Sequence, residues 1–145
     1  MNGKFFQISL TSINSLLILL WTYAAVSKLS DYQTSRREML NQALPSWLEE
    51  ILVWGVPLIE LFTAALLLFG KSRLYGTFLS LCLLISFTIY IGLIKFNYFD
   101  YIPCSCGGVI GSLSWEQHFV FNLIFIVLAA TGVILETNRG ELTSN

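Results

Sequence analysis

The sequence predicts an all-α membrane protein: a four-transmembrane-helix bundle with an interfacial amphipathic helix between the first and second spans. Three observations predict it. The chain is 55% hydrophobic and only 12% charged, with a mean hydropathy of +0.70; a soluble domain of this size needs more charge on its surface. Four apolar stretches approach the ~20 residues that span a bilayer, where every backbone donor and acceptor must be satisfied within its own segment. Four spans leave no length for a soluble domain, so residues 1–145 read as one integral membrane domain.

The first span is expected over about residues 8–28, through Leu16-Leu17-Ile18-Leu19-Leu20-Trp21 to a closing Lys28. Lys4 ahead of an apolar core and Ala24-Ala25 resembles a signal peptide. The apolar run is long for a signal core and three more spans follow it, so it is read as the first transmembrane helix. Between Ser30 and Glu50, Met39, Leu40, Ala43, Leu44 and Trp47 recur at helical spacing opposite Arg36, Arg37 and Gln42. That pattern fits a helix lying on the membrane surface, capped by Ser30 or Asp31 and broken or kinked at Pro45. The second span is expected over 51–69, the third over 74–95 and the fourth over 118–136.

Net charge is −1 and there is no basic run, which argues against nucleic acid as a partner. Walker, Rossmann and zinc-protease motifs are absent. Four spans put both termini on one side. Positive residues divide evenly between the two sides, but the very short turn Gly70-Lys71-Ser72-Arg73 carries two of them, which assigns the terminal side to the cytoplasm. The expectation is a multi-pass bacterial inner-membrane protein, N-in and C-in. The connection from Phe96 to Glu116 then faces the periplasm, a compartment in which disulfides persist.

That connection holds Ile102-Pro103-Cys104-Ser105-Cys106-Gly107-Gly108. A thiolate attacks a disulfide sulfur and a second thiol nearby resolves the mixed disulfide, so Cys104 and Cys106 form a minimal two-electron relay. Closing a bond across one intervening residue needs a tight turn, for which Pro103 and the two glycines are suited. Two other readings stay open: an idle loop disulfide, and a metal site in which both thiolates and His118 hold Cu(I) or Zn(II). Phe96, Tyr98, Phe99, Tyr101 and Trp115 surround the thiols, and such aromatics favour the headgroup level. Cys82 lies roughly 20 Å from the outward end of the third span and is expected to be a buried small hydrophobe.

Glu60 is the most unusual residue within a span, since a carboxylate at that depth must be protonated or paired. Lys28 is the nearest partner by depth. An ion pair tying the first two spans together and proton handling at a quinone pocket are the two readings of Glu60. His118 and Asn122 share one face of the last helix. His118 can lower a thiol pKa, pass protons or be an ordinary interfacial residue; Asn122 is expected to hydrogen-bond between helices.

Val26-Ser27-Lys28-Leu29, Pro57-Leu58-Ile59-Glu60-Leu61 and Pro103-Cys104-Ser105-Cys106-Gly107-Gly108, followed by Trp115 and Asn122, resemble the MauE/DoxX family of redox-associated membrane proteins. The likeness runs over roughly the whole chain from the first span onward. It implies a four-helix bundle that assists disulfide chemistry outside the cytoplasm, as MauE does in maturing a disulfide-rich dehydrogenase subunit alongside a thioredoxin-like partner. DoxX relatives imply thiosulfate oxidation and a quinone as cofactor. By the resemblance Cys104 and Cys106 become the redox pair, while Lys28 and Glu60 are pattern residues without an assigned role; the reading of the residues themselves expects His118, Glu60, Lys28, Asn122 and Trp115 as supporting residues. The expected partners are the lipid bilayer and a thioredoxin-like periplasmic protein or other membrane subunits. A non-catalytic subunit that scaffolds a larger complex is the alternative.

Overall fold

A computed structural model describes residues 3–41, 45–96, 98 and 114–144. Among these the chain forms five helices: α1 (Gly3–Ser30), α2 (Tyr32–Met39), α3 (Ser46–Leu68), α4 (Arg73–Lys95) and α5 (Trp115–Ser144). Four of them, α1, α3, α4 and α5, are long and apolar enough to cross a membrane. They pack in a ring, with α1 against α3, α3 against α4, α4 against α5 and α5 against α1. The protein is a multi-pass, all-helical membrane bundle.

The inside of this bundle holds polar groups among its apolar residues. On α1 the buried residues Leu10, Ile13, Asn14, Leu17, Leu20, Trp21, Ala24 and Ala25 recur every three or four positions. Ile8, Leu16, Leu19, Tyr23 and Val26 point outward and are exposed to the surroundings, here lipid. Both faces are therefore apolar, and Asn14, Glu60, Thr63, Thr77 and Ser80 are inside. In hydrocarbon, burial of apolar surface does not drive helices together; close packing of small residues and interhelical hydrogen bonds do.

The turn between α3 and α4 is built for close approach. The Ser72 hydroxyl donates to the Leu66 carbonyl at 2.9 Å, its N–H donates to the Phe69 carbonyl at 3.1 Å, and Gly76 lies against Leu67. A Cβ on Gly76 would meet the Leu67 nitrogen at 2.9 Å, so only glycine lets the two backbones come this near.

The surface helix is shorter than expected. Asp31 caps α2 by accepting the Thr34 N–H at 3.2 Å, and the helix stops at Met39, with Leu40 as its C-cap. Trp47 belongs to α3, not to the surface helix: Pro45 is extended, and its carbonyl accepts the N–H groups of Leu48 and Glu49, which starts a new helix at Ser46. Residues 42–44, including Gln42, Ala43 and Leu44, lie outside the described residues. Tyr32 stacks on Trp54 with ring centroids 4.9 Å apart and fastens α2 to α3. Cys82 is exposed on α4, where burial was expected. It falls on the outward stripe of that helix with Phe78, Ile85 and Ile89, and a thiol is apolar enough to sit in lipid.

Candidate functional site

Two buried polar clusters sit at different depths in the bundle. The first lies toward the end where α4 finishes and α5 begins. Lys28, near the end of α1, turns its side chain back into the bundle. Its ammonium donates to Glu60 Oε1 at 2.9 Å, to Glu60 Oε2 at 3.2 Å and to the Ala24 carbonyl at 3.2 Å. All three ammonium protons are thereby used. The Glu60 side chain is 1% exposed and that of Lys28 11%, so this is a buried ion pair joining α1 to α3. Pro57, one turn before Glu60 in α3, has no N–H to bond the Val53 carbonyl, and the helix continues through it.

His118 is brought to the same cluster from α5. The start of that helix is set by a reciprocal cap: Ser114 Oγ accepts the Gln117 N–H at 3.3 Å, and Gln117 Oε1 accepts the Ser114 N–H at 2.9 Å. One residue further along, His118 is 4% exposed. The Lys28 ammonium is close enough to act on its ring through charge. Its Nε2 has no hydrogen-bond partner among the described residues. Leaving a buried polar atom unsatisfied costs about 1–3 kcal/mol, so such an atom calls for an explanation, of which strain, a bound water or ion, and a catalytic role are the usual ones. Asn122, one turn on, is buried on the same helix.

Above this cluster the surface is charged. Glu38 on α2 feels both Asp31 and Lys28; partial burial, then Asp31, push its carboxyl above the usual range, and Lys28 opposes them. Lys95 pairs with Glu116 at 3.3 Å across the α4–α5 opening and lies over the Phe119 ring.

The second cluster lies toward the end that carries the termini, and the sequence reading missed it. Asn14 Nδ2 donates to Glu136 Oε1 at 3.1 Å, and Thr77 Oγ1 donates to Asn14 Oδ1 at 3.4 Å. Arg73 and Arg139 flank the same carboxylate at 3.9 and 3.6 Å. This network ties α1, α4 and α5. Asn14 was the available signal, an amide well inside an apolar span. Between the two clusters Trp21 Nε1 donates to Ser80 Oγ at 2.8 Å, and the Ser80 hydroxyl donates to the Gly76 carbonyl at 2.8 Å.

Of the residues singled out in the sequence, Lys28, Glu60 and His118 converge, and Asn122 follows on the same helix. Cys104 and Cys106 lie outside the described residues, as does the side chain of Trp115, the first residue of α5. Among the described residues no group of three His, Cys, Asp or Glu is placed to hold a metal ion.

A four-helix membrane bundle with a buried lysine–glutamate pair, and at the same end a buried histidine whose Nε2 has no partner among the described residues, defines the class. Residues 6–135 match the family of methylamine utilisation protein MauE. The chain belongs to that family. No match was found among curated proteins or among solved structures. Membership carries a membrane accessory role; it does not extend to the DoxX likeness.

Proposed function

We propose that this protein is the membrane component of a thiol-disulfide relay, in which Cys104 and Cys106 exchange an electron pair with a thioredoxin-like protein outside the cytoplasm. The other end of the relay is a quinone or another membrane carrier. The protein then lies in the inner membrane with both termini in the cytoplasm.

The supporting observation is topological. The chain between Lys95 and Trp115, which contains both thiols, leaves and re-enters the bundle at the end where Lys28, Glu60 and His118 meet. Thiol-disulfide exchange takes up and releases protons, and a histidine at this end of the bundle supports the reading. MauE membership supports the accessory role, and two thiols separated by one residue support a bond that is easily made and broken.

Thiol trapping in intact cells tests the reading. A membrane-impermeant alkylating reagent is applied before and after a reductant, to the wild type and to Cys104→Ser/Cys106→Ser. The relay requires labelling from outside, a labelled fraction that rises on reduction, and loss of activity in the double variant. Labelling only after the membrane is breached overturns the orientation. A double variant that keeps full activity reassigns the protein as a scaffold.

A further inference from the structure

We propose that Arg73 and Arg139 form a binding site for the phosphate of an anionic phospholipid, in the leaflet at the end of the bundle that carries the termini. The inference is independent of the relay and holds for either orientation of the chain.

Charge is divided unequally between the two ends. Among the described residues, the terminal end holds Lys4, Lys71, Arg73 and Arg139 against a single carboxylate, Glu136. At the other end, apart from the Lys28–Glu60 pair, which cancels, Arg36, Arg37 and Lys95 stand against Asp31, Glu38, Glu49, Glu50 and Glu116. The terminal end is therefore positive and the opposite end negative, a contrast that a count of cations alone conceals. A positive membrane boundary attracts anionic lipid.

Two of these cations are drawn together from beneath. Glu136 is buried and accepts the Asn14 amide at 3.1 Å, while Arg73 Nε lies 3.9 Å from its Oε1 and Arg139 Nη1 lies 3.6 Å from its Oε2. Both arginine contacts are longer than a hydrogen bond, so the carboxylate gathers the two guanidiniums by charge without accepting from either. One negative charge between two positive ones leaves an excess of one. The arginine side chains are 26% and 32% exposed, so each reaches the surroundings from an anchored base. A guanidinium presents paired N–H groups that match the spacing of phosphate oxygens. The surroundings favour a lipid over a soluble anion. Phe69 and Tyr75, on either side of Arg73 in the chain, are both exposed, and exposed aromatics at a helix end mark the headgroup level. From Tyr75 the outward stripe of α4 continues through Phe78, Ile85 and Ile89 into hydrocarbon, an apolar path for acyl chains that a free phosphate cannot use.

The full-length protein in detergent is titrated with phosphatidylglycerol, and bound lipid is measured by native mass spectrometry. Phosphatidylcholine, whose phosphate is offset by its own choline, and inorganic phosphate, added as a competitor, are the comparison probes. The wild type prefers phosphatidylglycerol to phosphatidylcholine, and added salt narrows the preference. Arg73→Gln and Arg139→Gln each weaken phosphatidylglycerol binding about fivefold, the equivalent of about 1 kcal/mol per charge near an anionic lipid, and the double variant weakens it about 25-fold. Glu136→Gln keeps an acceptor for Asn14 and removes the opposing charge, so it tightens binding about fivefold; arginines that served only to hold Glu136 predict no such gain. Arg36→Gln/Arg37→Gln, at the other end, leaves binding unchanged. A wild type without the preference, or an Arg73→Gln/Arg139→Gln protein that binds as tightly as the wild type, overturns the inference. So does a loss in Arg36→Gln/Arg37→Gln as large as that in the double variant. Inorganic phosphate that displaces the lipid at equal concentration makes this a site for a soluble anion and overturns the assignment to lipid. If the arginine variants fail to fold, Glu136→Gln decides, since unchanged or weaker binding there is incompatible with a phosphate seated beside that carboxylate.

Discussion

Removing the Lys28 ammonium is the sharpest perturbation of this bundle. Lys28→Met keeps most of the apolar stem and deletes both bonds to a carboxylate that is 1% exposed. Glu60 is then left either charged and unpaired or protonated. Taking one partner from a buried pair costs about 3–5 kcal/mol. Protonation sets a ceiling, because neutralising at pH 7 a carboxyl whose ordinary pKa is about 4.3 costs about 4 kcal/mol. The expected loss is therefore about 3–4 kcal/mol at pH 7, shrinking toward about 1 kcal/mol at pH 5, where protonation is cheap. Replacing both partners by apolar residues, Lys28→Met with Glu60→Leu, restores stability to within about 1 kcal/mol of the wild type. Reversible unfolding in mixed detergent and SDS, at both pH values and for the two single variants and the double, measures this cycle. A Lys28→Met loss below about 1 kcal/mol at pH 7, or a double variant no better than the single ones, would refute the reasoning.

Three further outcomes follow from the geometry. Gly76→Val should be destabilising by at least about 1–3 kcal/mol, because its Cβ meets the Leu67 nitrogen at 2.9 Å and neither backbone can give; SDS unfolding reads it. Ser80→Ala leaves the Trp21 N–H buried without its 2.8 Å acceptor and should cost about 1–3 kcal/mol, with a shift in tryptophan fluorescence, whereas Cys82→Ala on the lipid face should stay within about 0.5 kcal/mol. Glu38 holds its proton to higher pH in the folded protein than the ordinary 4.5, through burial and Asp31. Stability therefore falls as pH rises from 4.5 through the folded-state value, and Glu38→Gln should flatten that stretch of the pH–stability curve.

Residue types and their order along the chain determined the number of spans and the pairing of Lys28 with Glu60. Length and hydropathy suffice for spans, since hydrocarbon accepts only segments that satisfy their own backbone. Depth along a helix suffices for the pair, since two opposite charges at similar depth in lipid have strong reason to meet. Rotation about each helix axis was a different matter. In a bilayer the lipid-facing side is as apolar as the core, so hydropathy carries no periodic signal, and Cys82 was assigned inward when it faces out. Nor could order along the chain reveal that Asn14 bonds Glu136 across 122 positions. Trp47 joined α3, not the surface helix, because the Pro45 carbonyl starts a new helix there. Only the packing of α5 between α1 and α4 set Glu136 among Asn14, Arg73 and Arg139 and left His118 Nε2 without a partner among the described residues, because which polar atoms are satisfied depends on neighbouring helices that only the folded bundle supplies.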